Sequence, residues 1–296
     1  MVNKTPETNI DKQLYSNSIV LINKPCGHTS HEITTFVKKL LDVKRTGHAG
    51  TLDPEVSGVL PIAIGRATKL IQYIAGKDKI YVGIIKFKEI KKKDEIEKLF
   101  SEFTGVITQT PPKISAVKKV PRKRTIHYLK LLEINKKNPR LALFETKVDA
   151  GTYIRTLCED IGKKCGSARM EELRRIAVGN ITENQCHTMQ DLIDAVWLLK
   201  EKNDDSEIKK MCVAPEKLIE LPKVIIKETS ISSIKQGAQI MAPAIVDMDK
   251  SAERGDPIAI YSENGDFVGI GTDVLNAYDL MKKKTGLAVK LERVHI

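Results

Sequence analysis

The chain is sparing with the residues that would announce a cross-linked or metal-built protein. Its cysteines are Cys26, Cys158, Cys165, Cys186 and Cys212, an odd set with no CxxC pair. That pattern signals neither a disulfide framework nor a zinc site. Cys158 and Cys165 stand at helical spacing and read as buried thiols. Cys186-His187 offers two ligands where tetrahedral zinc takes four, so no metal is expected. Long apolar runs are also missing, which excludes a membrane-spanning helix. The first residues, MVNKTPETNIDKQLYSNS, have no apolar core of the kind a signal peptide needs, so a cytoplasmic location is expected. No internal repeat stands out.

What is present is positive charge. Lys and Arg total 49 against 38 Asp and Glu, a formal net charge of +11. Such an excess in a soluble chain favours a polyanionic partner, because each neutralised phosphate releases counterions. With 41% hydrophobic residues over 296 positions, the chain has enough apolar material for one large domain and a small one.

The folded part opens with a strand over 18–23, which Lys24-Pro25 ends. Thr29 and Glu32 have capping-box spacing before Ile33, Val37, Leu40 and Leu41, so a helix starts there. GVLPIAIG (Gly58–Gly65) and KIYVGIIKF (Lys79–Phe87) read as strands, with RATKLIQYIA helical between them. Asp94 and Glu97 suggest the cap of a further helix. TPPKISAVKKVPRKRT is broken by prolines and reads as a basic loop holding Lys113, Lys118, Lys119, Arg122, Lys123 and Arg124. A strand, a glycine turn and a helix stopped by Gly166 follow over 141–166, and another helix starts at Thr188. EKNDDSE (Glu201–Glu207) is a solvated charge run and a candidate boundary. After Pro222 the texture becomes short strands, with Asn264-Gly265 a hairpin turn between two of them.

One stretch poses a chemical question. GHAGTLDPEVSGVLPIAIGRATKL (Gly47–Leu70) sets Asp53 in a small-residue turn just ahead of an apolar strand. Glycine lets backbone approach a ligand, Pro54 fixes the exit from the turn, and the strand would anchor it. A carboxylate on rigid backbone suits catalysis. A turn tip of this composition is equally an ordinary feature.

The same stretch closely resembles the signature motif of the TruB branch of pseudouridine synthases. INKPCGHTSHE (Ile22–Glu32), KIYVG (Lys79–Gly83), AGTYIRTL (Ala150–Leu157) and ELRRIAVG (Glu172–Gly179) resemble further family segments, in the family's order, over about 18–200. Within the family the chain is most similar to the archaeal dyskerin-type catalytic subunit of H/ACA guide ribonucleoproteins, although Gln109-Thr110 stands where a basic residue is expected. The segment from Val224 onward resembles a PUA domain, a small pseudo-barrel that binds RNA.

The resemblance implies an α+β fold: a catalytic domain over 18–215 with a mixed, mainly antiparallel sheet and a central cleft. A flexible N-terminus over 1–17 would precede it and a β-rich PUA domain over 222–296 would follow. It implies isomerisation of uridine to pseudouridine without a cofactor. Asp53 would be the essential carboxylate, Arg155 its pairing guanidinium and Tyr81 the residue stacked on the base. His48, Lys24, Tyr153 and Leu173 would line the pocket. Lys118, Lys119, Arg122, Lys123, Arg124 and Gly237 would contact RNA. Implied partners are a guide RNA with its rRNA target, and zinc-ribbon, β-barrel and kink-turn-binding proteins. The alternatives are a stand-alone enzyme acting on the tRNA T-loop uridine and a non-catalytic RNA-binding scaffold.

Overall fold

The computed structural model describes residues 15, 17–112, 118–275, 277–282 and 285–295. The chain divides into two compact units, residues 1–213 and 214–296.

The first unit is built on one ten-stranded sheet. Its strands are β1 (Ile19–Lys24), β2 (Thr46–His48), β3 (Ser57–Ile64), β4 (Lys79–Phe87), β5 (Gly105–Gln109), β6 (Arg122–Ile134), β7 (Leu141–Val148), β8 (Ala168–Val178), β9 (Ile181–Thr182) and β10 (Cys212–Val213). They run in the order β10-β1-β3-β8-β4-β7-β6-β5, with β2 paired to β3 and β9 to β8. Within this sheet the pairings are antiparallel except one. β3 and β8 run parallel and meet at only two residue pairs, Ser57 with Arg174 and Gly58 with Arg175. The sheet therefore consists of two antiparallel halves joined at a short seam.

Helices α1 (Ser30–Leu40), α2 (Ile71–Ala75), α3 (Lys93–Glu102), α4 (Ile154–Cys165), α5 (Met189–Lys202) and α6 (Ser206–Met211) complete this unit among the described residues. Each half of the sheet has its own core. Val20, Ile22, Ile62 and Ile64 pack against Ile33 and Val37 of α1 and Leu192 and Val196 of α5. Ile85, Phe87 and Phe144 pack against Phe100 of α3 and Leu157 and Ile161 of α4. β4 alternates buried and half-buried residues along its whole length, as a strand with one covered face should. Gly83 within it leaves room for its neighbours: a Cβ there would stand 2.7 Å from a Phe144 ring carbon and 2.8 Å from Leu173 Cδ1.

The Thr29 capping box forms as the spacing predicts. The Glu32 amide donates to Thr29 Oγ1 at 3.0 Å, and the Thr29 amide donates to Glu32 Oε2 at 2.7 Å. The next cap differs. Asp94 lies inside the first turn of α3, and the Lys92 amide ahead of it donates to Glu95 Oε2 at 2.7 Å. Glu95, not Glu97, is the residue whose reach matches that amide. The basic segment also differs from the expected loop. Arg122, Lys123 and Arg124 are the opening residues of β6, where they pair with Gln109, Thr108 and Ile107 of β5. The prolines that suggested a loop, Pro111, Pro112 and Pro121, all fall outside that pairing. Lys118 and Lys119 are exposed beyond it, and Lys113 lies outside the described residues.

The expected flexible segment 1–17 lies mostly outside the described residues. The two that are described are held: Tyr15 is buried, and Asn17 Oδ1 accepts the Arg66 amide at 3.0 Å. The charge run Glu201–Glu207 joins α5 to α6 within the first unit, because the chain returns afterwards to pair Cys212 and Val213 with Val20 and Ile19.

The second unit holds β11 (Lys223–Ile226), β12 (Ile240–Met241), β13 (Ile245–Met248), β14 (Pro257–Ser262), β15 (Phe267–Asp273) and β16 (Leu287–Val294), with short helices α7 (Ile231–Lys235) and α8 (Ala277–Lys282). Its six-stranded sheet runs β12-β16-β15-β14-β11-β13 around Val224, Ile226, Ile258, Ile260, Val268 and Val289. Gly265 takes φ +88° in the turn between β14 and β15. Among the described residues, no helix of the chain is long and apolar enough to cross a membrane.

Candidate active site

Asp53 lies in the loop between β2 and β3, and Arg155 lies in the first turn of α4. The fold brings them together from opposite sides of the seam. Arg155 Nη2 donates to Asp53 Oδ2 at 2.8 Å and stands 3.5 Å from Glu55 Oε2. Both partners of the closer contact are about half exposed, 53% for the Asp53 side chain and 47% for Arg155. An ion pair this open adds little stability. What it fixes is orientation: a single charge-assisted hydrogen bond turns one Asp53 oxygen toward the start of α4.

The Asp53 loop is strapped down on every side. Lys24 is fully buried, and its ammonium donates to the carbonyls of Pro25 (2.8 Å), His28 (2.6 Å) and Pro54 (3.2 Å). Burial lowers its pKa, partly offset by the negative charge of Glu55 and Asp53. The Gly27 amide reaches the same Pro54 carbonyl at 2.8 Å. Ser30 Oγ accepts the Leu52 amide at 2.8 Å and donates to the Leu52 carbonyl at 3.1 Å. The Ala49 amide donates to the Pro61 carbonyl at 2.9 Å and the Val56 amide to the Asp53 backbone carbonyl at 3.0 Å. Thus the backbone on both sides of Asp53 is hydrogen-bonded while its carboxylate faces outward.

Two side chains under the loop were not singled out in the sequence. Arg175 is 1% exposed; its Nε donates to Val59 at 2.8 Å and its Nη2 to Gly50 at 3.0 Å. Lys79 is also buried, donates to the carbonyls of Ala75 and Lys77, and has its pKa lowered to about 8 by that burial. The seam here admits no side chain: a Cβ on Gly58 would lie 2.1 Å from the Arg175 carbonyl oxygen.

Tyr81, on β4, is 7% exposed and belongs to one buried cluster with Leu52 and Val56, which flank Asp53, and Ile154 and Leu157, which flank Arg155. Leu173 of β8 lies in the same cluster. His48, in β2, is half-buried; burial and the Arg175 charge lower its pKa, so the imidazole is neutral, and its Nδ1 is buried without a partner. Tyr153 stands at the N-cap of α4, and its backbone is gripped by Gln109. The Tyr153 amide donates to Gln109 Oε1 at 3.0 Å, and Gln109 Nε2 donates to the Tyr153 carbonyl at 3.1 Å. Gln109 was noted in the sequence only as a departure from the family pattern; its buried amide grips the backbone two residues ahead of Arg155. Gly237, in the second unit, is an exposed turn residue at φ +93°.

The sequence pointed to no metal. The structure does gather Asp78, His127 and Asp149, with His127 Nε2 3.1 Å from Asp149 and 3.5 Å from Asp78. Lys147 reaches Asp78 as well, at 3.4 Å. The cluster ties the start of β4 to β6 and to the turn ahead of α4.

Family models match the chain almost end to end. The N-terminal domain of the TruB family pseudouridylate synthases matches 38–154, the tRNA pseudouridylate synthase B C-terminal domain matches 155–220, and the PUA domain matches 222–295. The chain belongs to the TruB family of pseudouridine synthases. It is therefore an isomerase that acts on RNA. Among TruB relatives, a protein of Pyrobaculum aerophilum named "Probable tRNA pseudouridine synthase B" is 39% identical, over 98% of this chain and 87% of its own length. Its namesake in Methanosarcina barkeri is 40% identical, over 98% and 85%. Among solved TruB-like structures, one described as "Crystal Structure of a Cbf5-Nop10-Gar1 Complex" superposes with a TM-score of 0.89 at 36% identity, covering 96% of this chain and 87% of that one. Another, "Structure of H/ACA RNP bound to a substrate RNA containing 2'-deoxyuridine", gives 0.87 at 34% identity, covering 96% and 87%.

Proposed function

We propose that this TruB enzyme is the catalytic subunit of a guide-RNA ribonucleoprotein that isomerises selected uridines of rRNA in the cytoplasm. Residues 18–215 would carry the chemistry and 222–296 would hold RNA. The carrying observation is the Asp53–Arg155 pair, set on a strapped loop in a chain similar nearly end to end to the Cbf5 of a Cbf5-Nop10-Gar1 complex. Nop10, Gar1 and substrate RNA belong to those solved assemblies. By analogy, small zinc-ribbon, β-barrel and kink-turn-binding proteins are the partners for this chain.

The reaction breaks the N1–C1′ bond of uridine and forms a C5–C1′ bond. The C5 proton is lost and one is gained at N1, so no redox group is required. The target nucleotide must leave its stack first, at about a few kcal/mol. Asp53 acts on the sugar as a carboxylate nucleophile or base, and Arg155 holds it in place. Tyr81 stacks on the extruded base, and its hydroxyl is a proton relay that phenylalanine could not supply. Lys24 and Ser30 act through the loop, as positioning residues.

The second reading, a stand-alone enzyme on the tRNA T-loop, is supported by the names of the archaeal relatives. Pseudouridine formation on a tRNA transcript and on a guide–target pair, with and without the partner proteins, separates the two. Asp53→Asn should lower either activity by at least about 10³-fold while RNA binding persists. Activity that ignores guide and partners would overturn the ribonucleoprotein reading. Activity retained in Asp53→Asn would overturn the site.

A further inference from the structure

A small cavity of about 70 Å³ opens where β6 meets the start of α4, lined by Gln109, Pro111, Arg122, Arg124, Gly151 and Tyr153. Among the described residues its lining contains two guanidiniums and no carboxylate. Neither arginine has an acidic partner within ion-pair distance among the described residues, although Asp149 lies nearby in the chain and is engaged by Thr125 and His127. Arg124 Nη1 donates to the Lys123 carbonyl at 2.8 Å, but its Nε is buried and has no partner. A buried cationic N–H left without an acceptor is costly, and a structure that keeps one keeps it for a ligand or a strain.

The walls are preformed. The two-way hydrogen bond of Gln109 with the Tyr153 backbone fixes one side. On the other, Gly151 takes φ +80°, and a Cβ there would sit 3.1 Å from Arg124 Nη2 and 3.4 Å from Nε. Any larger residue would crowd the guanidinium. The twelve-residue helix α4 begins here with no side chain capping its first amides, which adds positive potential. The space is large enough to admit a tetrahedral oxyanion, and its charged wall selects an anion over a neutral group.

We propose that this cavity is a subsite for a single phosphate, filled by one phosphodiester of the bound RNA strand. The inference rests on the reading of the chain as an RNA-modifying enzyme and gives that reading a register. Exposed Lys118 and Lys119 attract the backbone diffusely, whereas Arg122 and Arg124 seat one phosphate against the segment that carries Arg155. The uridine presented to Asp53 is then counted from that phosphate. Free inorganic phosphate has the same chemistry, and the experiment separates the two sources.

In the first arm, the ³¹P line of inorganic phosphate is recorded with the full-length protein in chloride buffer. Broadening is expected with wild type and with Lys209→Gln, a surface change on α6. It should be lost in Arg124→Gln and partly restored in Arg124→Lys. In the second arm, each phosphate flanking the target uridine is replaced in turn by a neutral methylphosphonate. One position should weaken wild-type binding tenfold or more and leave Arg124→Gln unaffected, since that variant has already lost the contact. Arg122→Gln repeats both arms if Arg124→Gln fails to fold. Broadening in the first arm with no single position in the second overturns the RNA assignment and leaves a free-phosphate site. Equal broadening in wild type and variant, with weak effects spread over all positions, overturns the subsite. If wild type isomerises no RNA yet binds phosphate through Arg124, the enzymatic reading fails and the site stands.

Discussion

Asp273, the last residue of β15, gives the sharpest test of the physics of the second unit. It is 2% exposed, and neither carboxylate oxygen has a hydrogen-bond partner. The amides of Val274 and Leu275 turn toward it and favour its charge, but both are committed to the Ala288 carbonyl. Burial dominates, the nearby carboxylates of Asp256 and Asp279 add to it, and the pKa rises from 3.8 to about 6. At about 1.4 kcal/mol per pH unit, keeping this group charged costs the folded unit about 3 kcal/mol. The folded form binds the proton more tightly than the unfolded form. The penalty of this carboxylate on stability is therefore absent below about pH 4, grows as pH rises between about 4 and 6, and is full above. Asp273→Asn removes the charge and keeps the shape. It should stabilise the unit by up to about 3 kcal/mol at pH 7.5 and change little at pH 4. Hydrogen exchange at the amides of β14 and β15 in the full chain measures this. An asparagine variant destabilised equally at both pH values would refute the reasoning, because it would mean that the carboxylate has a partner it needs.

Two further outcomes follow from the loop and the seam. Lys24→Met leaves the Pro25 and His28 carbonyls without their lysine donor and loosens Pro54, so it should cost about 2–3 kcal/mol in thermal unfolding. It should also lower kcat more than it raises KM, since the carboxylate is displaced and the RNA surface is not; a change in KM alone would count against a positioning role. Gly58→Ala drives a methyl into the Arg175 carbonyl and should cost more than about 3 kcal/mol. Gly105→Ala, at a similar φ of +103° but with open space around it, should cost only about 1 kcal/mol, and equal losses at the two positions would discredit the close-contact account.

Local features were legible in the sequence, and long-range ones were not. The alternation of Lys79–Phe87 gave that strand, because it has one covered face. Thr29 and Glu32 gave a cap that involves only four residues. Asp53, Tyr81 and Arg155 stood out through family resemblance, not through their own spacing. Arg174 and Arg175 show the limit. They are neighbours in the sequence, yet Arg174 forms a half-exposed pair with Glu183 while Arg175 is buried under Gly50 and Val59. Only the pairing of β8 with β3 decides which of the two faces inward. The grip of Gln109 on the Tyr153 backbone was hidden for the same reason: the two lie 44 positions apart and become neighbours only in the folded sheet.

The two-residue seam between β3 and β8 has a consequence for how the enzyme comes into being. Asp53 hangs from one half of the sheet, and Tyr81 and Arg155 from the other, with carboxylate and guanidinium 102 positions apart in the chain. Neither half alone holds the proposed site. On the ribosome the nascent chain must present everything through α4 and β8 before the carboxylate meets its partner, and contacts so distant in sequence close late. An incomplete chain carries the basic residues but not the joined Asp53–Arg155 pair, so on the proposed mechanism reactivity arrives only with the finished sheet.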